Sequence, residues 1–189
     1  MIPEAEVRRL AGRWSVDPMI VDLDYALGCF LTAMYRQGSA SILRFKGGTC
    51  LRKCYYADYR FSEDLDFTAE KRLRQPELER LLETVAAAVN DDWQIDFAVR
   101  AIRVEAINDE YGKESFQARL YYRGPLRRGG DPRSIRVDVT RNEVLVFPAA
   151  RRAILHPYSD AATRGQVEVP CYDRLEMLTE KTRALAGQR

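Results

Sequence analysis

The stretch Phe45-Lys46-Gly47-Gly48-Thr49, followed by Ser62-Glu63-Asp64-Leu65-Asp66-Phe67, decides how the rest of the chain is read. The apolar run Ile42 to Phe45, interrupted by Arg44, predicts a short buried strand, and Thr49 to Cys54 predicts the first turn of a helix. Paired glycines between them let the backbone turn sharply and approach a ligand. N–H groups at a helix N-terminus, with no Cβ at Gly47 or Gly48 in the way, suit phosphate oxygens, and Thr49 adds a hydroxyl. Asp64 and Asp66 stand two apart, so in an extended strand both carboxylates share one side while Leu65 and Phe67 face the core. Two acidic groups held close repel each other, a cost that a hard divalent cation offsets. Beside a triphosphate that cation is Mg²⁺ or Mn²⁺. A pair of such ions about 3.5–4 Å apart clamps the attacking and leaving oxygens of a displacement at phosphorus.

Alone, Gly-Gly before a helix also fits a plain turn, and Asp-x-Asp also fits a solvated strand face. Their order carries more. Strand, Gly-Gly-Thr, helix and a second strand with Asp-x-Asp is the order of the polymerase β-type nucleotidyltransferases. Lys46-Gly47-Gly48-Thr49-Cys50-Leu51-Arg52-Lys53, then Tyr59-Arg60-Phe61-Ser62-Glu63-Asp64-Leu65-Asp66-Phe67, resembles the signature of the AbiEii family of toxin nucleotidyltransferases, which includes the MenT toxins.

That resemblance implies an α+β fold: a polymerase β-like nucleotidyltransferase core with a mixed or antiparallel sheet flanked by helices, and a C-terminal helical part. It implies a toxin that moves a nucleoside monophosphate from an NTP to an acceptor hydroxyl, the 3′ end of tRNA, so that translation stops, with a cognate antitoxin as partner. It places Lys46, Gly47, Gly48, Thr49, Arg52 and Ser62 around the nucleotide and Asp64 and Asp66 on the metals. In some MenT systems the antitoxin phosphorylates a serine at the position of Ser62, a role alternative to simple hydrogen bonding within the loop. Two other functions stay open on sequence: the same chemistry on a protein or small-molecule hydroxyl, and a catalytically silent module that binds RNA or a partner.

A chain of 189 residues is long enough for one well-buried domain, read as a core over 1–150 with a C-terminal helical segment over 151–189 packed on it. With 46% hydrophobic and 31% charged residues, and no apolar run near the eighteen or so of a membrane span, the composition is that of a cytoplasmic protein without a membrane partner. Met1 to Arg13 is charged and has no secretory h-region. Cys29, Cys50, Cys54 and Cys171 show no CxxC spacing; Cys50 and Cys54 share a helix face but lack a nearby histidine, so free buried thiols are expected rather than a zinc site. The net charge of +2 says little, but Arg123 to Arg152 holds eight arginines against Asp131, Asp138 and Glu143. This is either a phosphate-tracking patch or a set of exposed hairpin arginines.

Ile20, Leu23, Asp24, Leu27, Phe30, Leu31 and Met34 recur at helical steps behind the cap Asp17-Pro18. Gln75-Pro76-Glu77 opens a second helix, closed by Asn90-Asp91-Asp92. The period then becomes two: Ile95–Val99, Arg103–Ala106, Phe116–Leu120 and Ile135–Val139 are expected strands, with turns at Gly124-Pro125 and Gly129-Gly130-Asp131-Pro132. Trp93, Tyr121 and Tyr122 are expected to pack the sheet.

In the strand around Asp138, Arg136, Asp138 and Thr140 point opposite to Ile135, Val137 and Val139, which makes Asp138 the best third carboxylate; the resemblance to the polymerase β-type superfamily implies a general base or metal ligand there, and the alternative is an exposed partner of Arg136 or Arg141. Tyr172 to Ala186 predicts a last helix with Leu175, Met177, Leu178, Ala184 and Leu185 on its apolar face and Lys181 projecting into it. Thr179-Glu180-Lys181-Thr182-Arg183-Ala184-Leu185 resembles the family's Glu-Lys segment, which implies that Lys181 contacts the nucleotide; the alternative is a lysine that snorkels to solvent. The family pattern continues beyond this helix with an Arg-Asp pair and a further aspartate, past Arg189 of this sequence. The single histidine, His156, is expected in a loop or strand end without a catalytic part.

Overall fold

The computed structural model describes residues 1–36, 38, 40–108, 114–126, 131–141 and 143–186. Helix α1 (Glu4–Trp14) leads into α2 (Pro18–Arg36), where the Asp17 carboxylate accepts the Met19 N–H at 2.7 Å and so caps the helix behind Pro18. β1 (Leu43–Lys46) runs directly into α3 (Gly47–Cys50), which continues as one π-helical turn over Leu51–Tyr55. β2 (Asp64–Ala69), α4 (Gln75–Trp93), β3 (Val104–Asn108), β4 (Glu114–Tyr122) and β5 (Arg133–Arg141) follow. The chain closes with β6 (Ala150–Ala153), α5 (Ala161–Arg164), β7 (Glu168–Cys171) and α6 (Arg174–Ala186).

The seven strands form one mixed sheet in the order β3-β4-β5-β2-β1-β7-β6. β1 is antiparallel to β2 and parallel to β7; β2 is parallel to β5; the remaining pairs are antiparallel. A mixed sheet flanked by helices is the expected α+β class. One sheet face buries Phe45, Leu65, Phe67, Val137 and Val139. Helix α2, nearly all of it inside, supplies Leu23, Leu27, Phe30 and Leu31 to the same core, and α4 adds Leu78, Leu82, Val85 and Val89. Trp93 and Tyr122 are buried as expected. The opposite face of the central strands is polar, because the same alternation that buries Leu65 and Phe67 turns Asp64, Asp66 and Thr68 the other way.

Three expectations differ. Ile95–Val99 is not a strand: Asp96 makes a single antiparallel bridge to Arg123, and its carboxylate then accepts the Ala98 N–H at 2.8 Å, folding the chain into a turn. Residues 151–189 carry strands β6 and β7 as well as helix, and β7 joins the central sheet beside β1. Helix α6 docks on its polar side. Glu176 accepts the Val146 and Phe147 N–H groups and Glu180 pairs with Lys46, so Met177 is buried while Leu175, Leu178 and Leu185 stand 58%, 62% and 70% exposed. The Gly129-Gly130 turn and the side chain of Ala184 lie outside the described residues.

Candidate active site

Lys46 ends β1 opposite Asp66, and Gly47 then takes φ +80°, a left-handed turn that starts α3. The glycine is required twice, since a Cβ built on Gly47 would stand 2.1 Å from Asp66 Oδ2. A Cβ on Gly48 would stand 2.8 Å from Ser62 Oγ, so Ser62, just before β2, covers the second glycine. The Thr49 hydroxyl is turned inward and donates to the Asp64 carbonyl at 2.6 Å, pinning the helix start to β2. The turn and the Asp-x-Asp strand are thus one unit.

Parallel pairing of β2 with β5 sets Asp64 beside Arg136 and Asp66 beside Asp138. Three carboxylates expected from sequence therefore lie on adjacent strands of one face. Arg136 spans them, its Nη2 on Asp64 Oδ2 and its Nε on Asp138 Oδ2, both at 2.8 Å. Gln117 on β4 donates to Asp138 Oδ1 at 2.8 Å. Burial pushes the Asp66 carboxyl up to about 6, reinforced by the charges of Asp138 and Asp64. Burial also raises Asp64, against the pull of Arg136. The Arg136 guanidinium bridges two of the three carboxylates, and an oxygen-only acidic donor set of this kind suits a hard divalent cation.

The other expected residues have different partners. Lys46, nearly buried, sits over the Tyr172 ring at 5.3 Å and pairs with Glu180 at 3.0 Å and Glu143 at 3.4 Å. Arg52 is buried beneath the turn, bonded to Asp24 at 2.8 Å and stacked on Phe61 at 3.5 Å, so its guanidinium holds the loop rather than presenting itself to a phosphate. Lys181 is exposed and lines a groove of about 560 Å³ with Leu51, Tyr56, Met177 and Leu178. It stands on the solvent side of α6, while its neighbour Glu180 turns in. Among the clustered arginines, Arg141 pairs with Glu114, Arg151 with Glu168, and Arg133 bonds the Met19 carbonyl; Arg127 and Arg128 lie outside the described residues.

A second polar centre lies on the buried side. Asp24 on α2, 2% exposed, accepts from Lys53 at 2.5 Å, Arg52 at 2.8 Å and the Tyr158 hydroxyl at 2.6 Å. Burial alone would raise its carboxyl, but Lys53 and Arg52 bring it below the ordinary value. The signal in the sequence was a charged residue on the apolar stripe of a helix. Nothing in the spacing pointed to Lys53, Gln117, Glu143 or Glu180. His156 lies in the loop after β6, bonded to Asp160 at 2.8 Å.

Against known proteins, residues 29–189 match the family model described as the nucleotidyl transferase AbiEii toxin of a type IV toxin–antitoxin system. No curated protein matches the chain. Among solved structures it is similar to JHP933 from Helicobacter pylori, at 15% identity and TM-score 0.48 over 80% of this chain and 53% of that one. It is also similar to a protein described as a nucleotidyltransferase from H. pylori, at 15% identity and TM-score 0.44 over 80% and 54%. The chain spans about half the length of these two structures. Its glycine turn, its Asp-x-Asp strand and the third aspartate beside them fall within the matched residues, and the chain belongs to the AbiEii nucleotidyl transferase toxin family.

Proposed function

We propose that this protein transfers a nucleoside monophosphate from an NTP to the 3′-terminal hydroxyl of tRNA, releasing pyrophosphate, as the toxin of a toxin–antitoxin pair in the cytoplasm. The observation that supports it best is the register that sets Asp66 beside Asp138 with Asp64 two residues away and Gly47 against Asp66. Asp64, Asp66 and Asp138 would hold Mg²⁺ or Mn²⁺, which would supply a Lewis acid to the phosphoryl oxygens. The N–H groups of Gly47 and Gly48, at the start of α3, receive the triphosphate. Asp138, oriented by Gln117, accepts the proton of the attacking hydroxyl, whose oxygen attacks the α-phosphorus as the bond to pyrophosphate breaks. Arg136 neutralises the carboxylates before substrate arrives and is free to swing onto a phosphate afterwards. Lys46, Arg52 and Thr49 shape the turn, and Lys181 reaches the nucleotide or acceptor from α6. The cognate antitoxin acts at Ser62, where a phosphate would cover Gly48 and add about −1.5 to −2 charge beside the carboxylates.

The test is incubation of the protein with each labelled NTP and total RNA, with and without EDTA, beside Asp66→Asn. Label in tRNA that disappears in EDTA and in the variant is expected. Label in protein alone, in no macromolecule, or undiminished in EDTA would overturn the reading.

A further inference from the structure

Cys50, Cys54 and Cys171 have no part in the site described above, yet their sulfurs lie within 4.8 Å of one another. Cys50 ends α3, Cys54 follows in the π-helical turn, and Cys171 ends β7 opposite Phe45 of β1. All three are buried and free, at 0%, 5% and 0% exposure. Single π-helical turns are uncommon and concentrate at functional positions.

Among the described residues no histidine or carboxylate joins the three sulfurs as a fourth ligand. That decides the kind of ion. Structural zinc sites are four-coordinate, with sulfurs about 2.3 Å from the metal, and three thiolates would leave both an open position and a buried negative charge. Trivalent arsenic takes three thiolates in a pyramid, and the product carries no charge. Soft ligands select soft ions, and a neutral complex suits a buried site.

We propose that Cys50, Cys54 and Cys171 form a binding site for trivalent arsenic, taken up as arsenous acid. Three As–O bonds break and three As–S bonds form. The three thiol protons leave with three hydroxides as water. Arsenic stays trivalent and no electrons are exchanged. The complex joins the π-helical turn, the end of α3 and β7, immediately behind the Gly47-Gly48 turn, so the bound ion fastens the segment that begins at Gly47.

The reduced protein is titrated anaerobically with arsenite and followed by native mass spectrometry and X-ray absorption at the arsenic edge. One arsenic per chain is expected, at a mass showing loss of three protons from the protein and with three sulfur neighbours. Cys29→Ser should bind as the wild type does, and Cys171→Ser at least tenfold more weakly. Hydrogen exchange over residues 47–55 of the wild-type protein should slow on binding. Two sulfur neighbours instead of three, no complex at all, or equal binding by Cys171→Ser would overturn the site. Since the X-ray measurement uses the wild-type chain, failure of the variant to fold leaves the result decisive. None of these readouts depends on nucleotidyl transfer.

Discussion

The carboxylate of Asp66 lies where a Cβ on Gly47 would have to be, 2.1 Å from its ideal position. The glycine is thus fixed by a residue of the proposed metal-binding set as well as by its own left-handed φ of +80°. Gly47→Ala should destabilise the fold by about 1–3 kcal/mol through backbone strain alone. It should also displace Asp66 and abolish nucleotidyl transfer. Gly12 in α1 is the control: nothing stands within 4 Å of an added Cβ there, and Gly12→Ala should leave activity intact and stabilise by up to about 1 kcal/mol. Thermal melts and a labelled transfer assay on both variants check this, and an active Gly47→Ala would refute it.

Asp66 gives a pH dependence of definite sign. Its folded-state value of about 6 lies above the ordinary 3.8, so the folded chain holds this proton more tightly than the unfolded one. The associated stability is complete below about pH 4 and is lost as the pH rises through 6. Asp66→Asn removes the ionisation. In metal-free buffer at pH 7.5 it should melt a few degrees above wild type, on the order of 1–3 kcal/mol, with the gap closing toward pH 4. A difference that does not change with pH would contradict this account of Asp66.

Added Mg²⁺ should act on the same charge. It should raise the melting temperature of the wild type at pH 7.5 and do so far less for Asp66→Asn, because an ion that binds only the folded state stabilises it by mass action. Melting curves in a Mg²⁺ series, each repeated with EDTA, measure the effect. Equal shifts in both proteins would place the ion elsewhere.

Asp24 is the severe case among the buried charges. Asp24→Ala leaves Lys53, fully buried, and Arg52 without their carboxylate, at a cost of about 3–5 kcal/mol. Chemical denaturation should show the loss, and a shift below 1 kcal/mol would mean that water or another acid has taken its place.

Lys46 and Glu180 tie β1 to the last helix across 134 positions of sequence. Lys46→Met keeps the stem that packs on Tyr172 but leaves Glu143 and Glu180 facing each other. Hydrogen exchange in α6 should quicken at least tenfold while the central strands keep their protection. If α6 is unchanged, the helix is held by Met177 and Glu176 instead.

The parts legible in the sequence were those set by local periodicity. The step of two placed Asp64, Asp66 and Asp138 on polar strand faces, and Gly47-Gly48 marked a turn whose left-handed backbone only glycine takes easily. Apolar spacing likewise located α2 and α4 within a residue or two. What stayed hidden was tertiary pairing. Leu175, Leu178 and Leu185 form a good helical stripe, yet Glu176 and Glu180 choose the docking face because their partners on 143–147 and β1 are distant in sequence. Arg52 lies inside the glycine motif but is drawn inward by Asp24. Strands β6 and β7 are four residues each, too short for alternation to register, so the meeting of Cys171 with Cys50 and Cys54 had no sequence signal.

The parallel pairing of β2 with β5 also governs when the site exists during synthesis. Asp64 and its Arg136 partner are 72 residues apart, with α4, β3 and β4 emerging between them. A nascent chain that has passed Ala69 carries the glycine turn and two aspartates but not the strand that aligns the third. Non-local strand pairing of this kind forms late. The growing chain therefore stays without its third carboxylate on the ribosome until β5 has left the exit tunnel and inserted beside β2.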